Sequence, residues 1–271
     1  MFGPENLTIM ISGNINIGYT KLLLEQTFGT VDPEKYTPAS MNIFEQTNFT
    51  GARFVDHSRF LTDRGDNKIL IGLGSPAPTY NTEDYYPYLL AYRYLFSDTS
   101  GLLTSLLKDR ESRAYLFDNG TNIYDYSKRM PFMYFDLTVN TVNADSTFFA
   151  LSNPVKDLVD RGMTDSELLI AKEIINHETL EAYYNPQSFS PHVLKRFNND
   201  YNVESIEDEF DRFSSVQLDD INRVLKQYFN LNDFSIVVMG DTEQKFRFIQ
   251  NYDSIKYVDR YGNSLQDGDV E

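Results

Sequence analysis

The sequence predicts an α+β fold in which a mainly antiparallel sheet is covered on one side by helices. Short β-prone segments cluster between residues 67 and 141, and amphipathic helices fill most of the last third of the chain before one final strand. Strands and helices that are grouped along a chain, rather than strictly alternating, are typical of α+β folds. With 271 residues, 41% of them hydrophobic, the chain is long enough to bury a large core.

The first segment predicts a strand followed by a helix. Residues 7–11 form a short apolar, β-prone run, and Gly13 and Asn14 supply a turn. The helix that follows ends at Phe28, where Gly29 is a suitable C-terminal cap. Residues 31–66 contain prolines and show weak periodicity, which predicts an extended connector with one strand near residues 52–55.

The central segment predicts a strand, two helices and then two or three further strands. Its first strand ends at the Pro76-Ala77-Pro78 break. Asn119-Gly120 is a strong hairpin signal, and it predicts a turn between the first two of the later strands. The strands are expected at residues 68–74, 114–118, 122–127 and 133–141, and the helices at 83–96 and from 101 to about 110.

The last third predicts helices and a closing strand. Thr164 and Glu167 have the spacing of a capping box, which predicts a helix from there to about Tyr183. A further amphipathic helix is expected at residues 218–229 and a strand at 234–239, before a polar tail. Residues 6–14 resemble residues 233–241, because both have a polar residue, an apolar run and then Gly with Asn or Asp. This repeat predicts that each copy closes one unit of a repeated fold.

Charge and composition exclude several classes of function. The net charge of −16 disfavours nucleic acid and anionic membrane surfaces as partners. The chain has no cysteine, so it has neither disulfides nor a thiolate metal site. Its apolar runs are too short to span a bilayer. No basic region precedes an apolar run at the N-terminus, which argues against a signal peptide and favours the cytoplasm.

The sequence predicts no catalytic zinc on this chain. Its three histidines are His57, His177 and His192, and none lies in a His-x-x-Glu-His or His-Glu-x-x-His motif. His177 and Glu181 would share one helical face, but such a pair alone grips a metal only weakly. Serine-hydrolase chemistry is also unsupported, since no Gly-x-Ser-x-Gly motif is present.

The segment from Lys108 to Tyr115 carries the candidate chemistry. A predicted helix ends among basic residues, and an Ala-Tyr step then enters a strand rich in aromatic residues. A phenol hydroxyl and a nearby cation can stabilise the oxyanion that forms when water attacks a peptide carbonyl. Tyr115 could donate the hydrogen bond, and Lys108, Arg110 or Arg113 could supply the positive charge. The same residues are also expected without any catalytic role, because basic residues favour the C-terminus of a helix and tyrosine favours strands.

The order of these segments resembles the insulinase, pitrilysin and mitochondrial-processing-peptidase family of zinc metallopeptidases, in its metal-free domain. In that family one α+β domain binds zinc through an inverted His-x-x-Glu-His helix, and a homologous domain reaches the substrate with an Arg and a Tyr. Tyr115 matches the Tyr. Lys108 stands at the position of the Arg, seven residues earlier, and keeps the charge without the bidentate fork. Arg110 is the alternative cation.

The resemblance implies a role as one half of a peptidase. The chain would complete the peptide-binding chamber, bind no cofactor itself and be inactive alone, with zinc on a homologous partner domain or subunit. Two alternatives stay open, a non-catalytic structural core subunit and a peptide-binding module of the same fold. The implied organisation is a strand–helix remnant of a preceding homologous domain (1–30), a connector (31–66), the metal-free domain (67–241) and a polar tail (242–271).

Overall fold

A six-stranded sheet organises the part of the chain that the structure describes. This structure is a computed structural model, and it describes residues 7–30, 52–56, 68–79, 82–97, 100–108, 114–121, 132–198, 205–240, 246–251 and 255–258. The strands are β1 (Ala52–Asp56), β2 (Lys68–Pro76), β3 (Ala114–Thr121), β4 (Phe132–Asn140), β5 (Ser235–Gly240) and β6 (Ile255–Val258).

The sheet is mainly antiparallel and has the order β3-β4-β2-β5-β1-β6. Strands β3, β4, β2 and β5 pair antiparallel with their neighbours. Strand β1 pairs parallel with both β5 and β6, so strands from opposite ends of the chain meet at one side of the sheet. The predicted α+β class with a mainly antiparallel sheet is confirmed.

Helices cover one face of this sheet. In β2 the side chains of Ile69, Ile71 and Leu73 are buried, whereas the residues between them are only half-buried. Strand β4 shows the same alternation, which is the pattern of a sheet with one face against a core. The helices are α1 (Ile17–Thr27), α2 (Tyr85–Phe96), α3 (Leu102–Lys108), α4 (Ala144–Arg161), α5 (Asp165–Tyr184), α6 (Pro186–Asn198), α7 (Ile206–Ser215) and α8 (Leu218–Tyr228). In the described residues, no helix is both long and apolar enough to cross a membrane.

Helices α2 and α8 are joined through a buried carboxylate. Asp84, at the start of α2, is only 7% exposed. Its carboxylate pairs with the Arg223 guanidinium, and the Tyr228 hydroxyl donates a hydrogen bond to it at 2.8 Å. Burial, followed by this hydrogen bond, raises the pKa of Tyr228 to about 12. A buried charge is tolerated only when it is paired in this way, so the three side chains fix how α8 lies on α2.

The sheet extends beyond the predicted 67–241 domain on both sides. Strand β1 lies in the predicted connector, and β6 lies in the predicted polar tail. Between β5 and β6, Phe246 and Phe248 are buried, and the Phe248 ring stacks on Phe148 of α4 at 4.6 Å between centroids. Part of the tail therefore belongs to the core of this domain.

The predicted hairpin turn at Asn119-Gly120 is wrong. Strand β3 continues through both residues, with Asn119 opposite Phe135 and Gly120 opposite Tyr134. An Asn-Gly pair makes a tight turn only if the chain reverses there, and pairing with β4 keeps this strand extended instead. The strand predicted at residues 122–127 lies outside the described residues.

The predicted strand at residues 7–11 is also not formed. This run is not a strand in the structure, although α1 follows it as expected. The Asn16 side chain caps α1 by accepting a hydrogen bond from the Tyr19 backbone N–H. A strand needs a neighbour to satisfy its backbone groups, and none of the described strands lies beside this run.

The predicted capping box at Thr164 and Glu167 is confirmed, and it also joins α4 to α5. The backbone N–H of Thr164 donates to Glu167 Oε2 at 2.8 Å. Arg161 donates to both carboxylate oxygens, at 2.8 and 2.6 Å, and the Tyr94 hydroxyl donates to Oε1 at 2.9 Å. The hydrogen bonds from Arg161, ahead of those from Thr164 and Tyr94, lower the pKa of Glu167 to about 2.

We expect Glu167→Gln to destabilise the protein by about 1–2 kcal/mol at pH 7 and by much less as the pH approaches 2. The folded-state pKa lies below the ordinary value of 4.5. The ionised carboxylate therefore stabilises the fold fully above pH 4.5, and this contribution is lost as the pH falls toward 2. A pKa shift of this size corresponds to about 3 kcal/mol of stability before solvent screening. Screening reduces this value, because the Arg161 side chain is 40% exposed.

Urea unfolding of the unchanged protein and of Glu167→Gln, at several pH values between 7 and 3, measures this difference in stability. The matched control is Glu173→Gln, an exposed position on the same helix. The same dependence on pH for the two variants would contradict the prediction.

Candidate functional site

Two of the three predicted site residues lie at the ends of adjoining elements. Lys108 is the last residue of α3, and Tyr115 is the second residue of β3. Residues 109–113, which include Arg110 and Arg113, lie outside the described residues. The side chains of Lys108 and Tyr115 lie outside them as well. The backbone thus has the predicted helix-then-strand order, and the choice between Lys108 and Arg110 as the cation stays open.

Tyr115 occupies an irregularity in β3 that the sequence did not reveal. Ala114 lies opposite Val139 and Leu116 lies opposite Thr138, so the pairing register skips Tyr115. A β-bulge of this kind inserts one extra residue, twists the strand locally and re-aims a side chain. Bulges are enriched at sheet edges and beside active sites, and β3 is the terminal strand of the described sheet.

Strand β4, which pairs with β3, carries an acidic residue on the face that helices leave uncovered, Asp136. Asp118 of β3 lies opposite Asp136 of β4. Asp136 in turn lies beside Gly72 of β2, where an added Cβ would come within 2.8 Å of Asp136 Oδ1. Glycine at position 72 therefore makes room for this carboxylate. This role of Gly72 could not be predicted from the sequence, because a single glycine inside a strand does not indicate what lies beside it.

The described residues offer no group of three or more His, Asp or Glu side chains that could hold a metal ion. His177 and Glu181 both lie on the exposed side of α5. His192 Nε2 lies 3.9 Å from Glu209 Oε2, between α6 and α7. His57 lies outside the described residues. The described side chains do not fit a zinc site, which needs at least three protein ligands.

A comparison of the sequence with known protein families shows which family the chain belongs to. The model of the peptidase M16 inactive domain matches residues 1–175, well over half of the chain. The chain belongs to the M16 peptidase family. Within that family the match is to the inactive domain, so the predicted family and the predicted assignment to its inactive domain are both confirmed.

Several solved structures share this fold. A protease from Helicobacter pylori aligns with a TM-score of 0.65 at 16% identity, over 84% of this chain and 53% of its own. An M16 inactive domain from Pseudomonas fluorescens aligns with a TM-score of 0.62 at 13% identity, over 85% of this chain and 52% of its own. The inactive peptidase domain of a putative zinc protease from Bordetella parapertussis gives 0.51 at 16% identity, over 64% of this chain and 92% of its own.

The aligned part of this chain spans about half the length of the first two of these relatives. It spans 53% of the Helicobacter pylori protease and 52% of the Pseudomonas fluorescens protein. No curated protein sequence matches it at a significant level. At identities this low, the structural likeness establishes the fold of this M16 domain.

Proposed function

We propose that this M16 domain is the metal-free half of an insulinase-like zinc peptidase and completes its peptide-binding chamber. The observation that carries the proposal is the position of Tyr115. It lies at a bulge in the terminal strand of the sheet, seven residues after the helix-ending Lys108, in a chain of the M16 family. Bulges are enriched at sheet edges and beside active sites, which supports a functional role for this position.

In this proposal the chain binds and orients the peptide. The Tyr115 hydroxyl donates a hydrogen bond to the carbonyl oxygen as negative charge develops there, and Lys108 or Arg110 adds a positive charge beside it. Zinc on the homologous partner domain or subunit supplies the hydrolytic chemistry when it is bound. The extended peptide adds as a strand to a sheet edge, mostly in that partner half.

The test compares peptide hydrolysis by the chain alone and together with its zinc-bearing partner. We expect no turnover from the chain alone, because the described residues have no metal site. Turnover should appear when the partner is added and should be abolished by a chelator. Chelator-sensitive hydrolysis by the chain alone would overturn this division of labour.

A non-catalytic role is the second candidate, and one observation favours it. The resemblance aligns Lys108 with an arginine of the family, and a lysine there would lose the bidentate contact that an arginine makes. A structural core subunit has no need of that contact. A plain peptide-binding module is the third possibility, and peptide affinity measured without any partner would favour it.

A further inference from the structure

One end of the sheet brings two further polar residues into line with Tyr115. Strand β4 ends at Asn140, and the residue before it, Val139, lies opposite Ala114 at the start of β3. On the other side of β4, Asn140 lies opposite Lys68, the first residue of β2. Tyr115, Asn140 and Lys68 therefore follow one another across three adjacent strands at the same end of the sheet.

Lys68 and Asn140 lie on the face of the sheet that the helices leave uncovered. Both are half-buried, and each is next to a residue buried on the opposite face, Ile69 in β2 and Val139 in β4. Among the described side chains of β2, β4 and β5, Lys68 is the only cation and Asp136 the only carboxylate. Asp136 and Asn140 are four residues apart along β4, a backbone distance of about 13 Å. The positive and the negative charge of this face therefore lie at separate places.

The side chain of Asn140 is held so that its amide N–H groups are left to donate. Its Oδ1 accepts a hydrogen bond from the Val142 backbone N–H at 3.1 Å, which caps the short helical turn at residues 141–143. Only the oxygen of a side-chain amide accepts such a bond, so the nitrogen is the atom that remains. This Nδ2 group has no hydrogen-bond partner among the described residues.

The chemistry of this row of residues suits a negatively charged oxygen. A lysine ammonium has N–H donors and no acceptor, and Asn140 adds the donors of its amide nitrogen. A carboxylate is the group in peptides that accepts several such hydrogen bonds, and bonds to a charged acceptor are the stronger kind. In the proposed function the Tyr115 hydroxyl contacts the carbonyl of the reacting bond, which leaves Lys68 and Asn140 for a second group of the same peptide.

We infer that Lys68 and Asn140 bind a carboxylate of the peptide and so give the peptidase a preference for an acidic group near the cleaved bond. Neighbouring strands lie about 4.8 Å apart, which places Lys68 about 10 Å from the Tyr115 backbone, or about three residues of an extended peptide. The carboxylate is an acidic side chain or the C-terminus of the peptide, since both present the same group. The inference rests on the proposed function, and it goes further by naming the class of substrate.

The test uses the chain assembled with its zinc-bearing partner and pairs of short, neutral, fluorescently labelled peptides. In most pairs a single glutamate stands at one position, varied along the peptide, and glutamine replaces it in the other member. In a last pair the C-terminus is either free or amidated. Fluorescence anisotropy in the presence of a chelator gives the affinities, and mass spectrometry with zinc present locates any cleaved bond. We expect the carboxylate member of at least one pair to bind about tenfold more tightly, the usual gain from a hydrogen bond to a charged group.

Two variants distinguish binding from a structural role. Lys68→Glu should reverse the preference, so that a lysine peptide binds more tightly than its glutamate counterpart. Asn140→Asp keeps an oxygen to accept the Val142 N–H but loses the amide donors, so the preference should be lost while the midpoint of urea unfolding stays the same. The matched controls are Lys256→Glu, at an exposed lysine of β6, and Asn143→Asp, at an exposed asparagine whose side chain makes no cap hydrogen bond. Both controls should keep the preference.

The possible results separate this inference from the proposed function. Equal affinity within every pair, or no peptide binding at all, would overturn the inference even if the complex cleaves peptides. A preference that Lys68→Glu leaves unchanged would also overturn it. A preference that follows Lys68, without any cleavage, would support the inference and contradict the proposed function. Tighter binding of the free C-terminus would identify that carboxylate as the bound group, and tighter binding of glutamate at one distance from the cut would identify a side chain.

Discussion

Replacing Tyr115 with phenylalanine is expected to lower kcat of the assembled peptidase about a hundredfold. This is the usual loss when one hydrogen-bond donor to a developing oxyanion is removed. KM should change little, because the hydroxyl contributes mainly when charge develops on the carbonyl oxygen. The measurement is steady-state hydrolysis of a peptide by this chain together with its zinc-bearing partner.

Two further variants replace the basic residues near Tyr115 that could supply the positive charge. Lys108→Ala and Arg110→Ala, assayed in the same way, identify which cation acts with Tyr115. The variant with the larger loss of kcat identifies the residue that supplies the positive charge. If Tyr115→Phe turns over peptide as fast as the unchanged chain, the oxyanion role is wrong and the structural-subunit alternative is preferred.

Phe234→Ala is expected to destabilise the isolated chain by about 3–5 kcal/mol, the usual cost of removing a buried aromatic ring. Phe234 is 1% exposed at the entry to β5, and its ring lies 6.3 Å from that of Phe135, between centroids. Leu7→Ala is the matched control, since Leu7 has the same place in the sequence repeat but is 51% exposed. It should change stability by less than about 0.5 kcal/mol.

Urea unfolding followed by far-ultraviolet circular dichroism measures both variants. The chain has no tryptophan, so fluorescence of that residue is not an available probe. A loss of similar size for both variants would show that Leu7 is buried within the isolated chain.

The fold class was accessible from the sequence because its signals are local. Thr164 and Glu167 have the spacing of a capping box, and that box begins α5 as predicted. The apolar periodicity of α4 places Phe148, Leu151, Val155 and Leu158 in the core. Each of these features depends on residues only three or four positions apart.

The predictions that failed depend on distant neighbours. Asn119 and Gly120 look like a turn in isolation, yet pairing with β4 keeps them in a strand. Residues 7–11 have the composition of a strand, yet no described strand lies beside them. The bulge at Tyr115 is a property of two strands in register, so the sequence of β3 alone could not show it. The sequence therefore predicted which residues are candidates and in which order they follow a helix and a strand. It did not predict how the strand that carries Tyr115 pairs with its neighbour.

The position of β1 has a consequence for how the protein is made. The two partners of this strand, β5 and β6, follow it much later in the sequence. Contacts between residues so far apart in sequence form slowly, because a long loop must close first. During translation β1 therefore stays unpaired by these two strands until residues 235–258 have left the ribosome. Chaperone binding to nascent chains should be strongest while this strand is still unpaired.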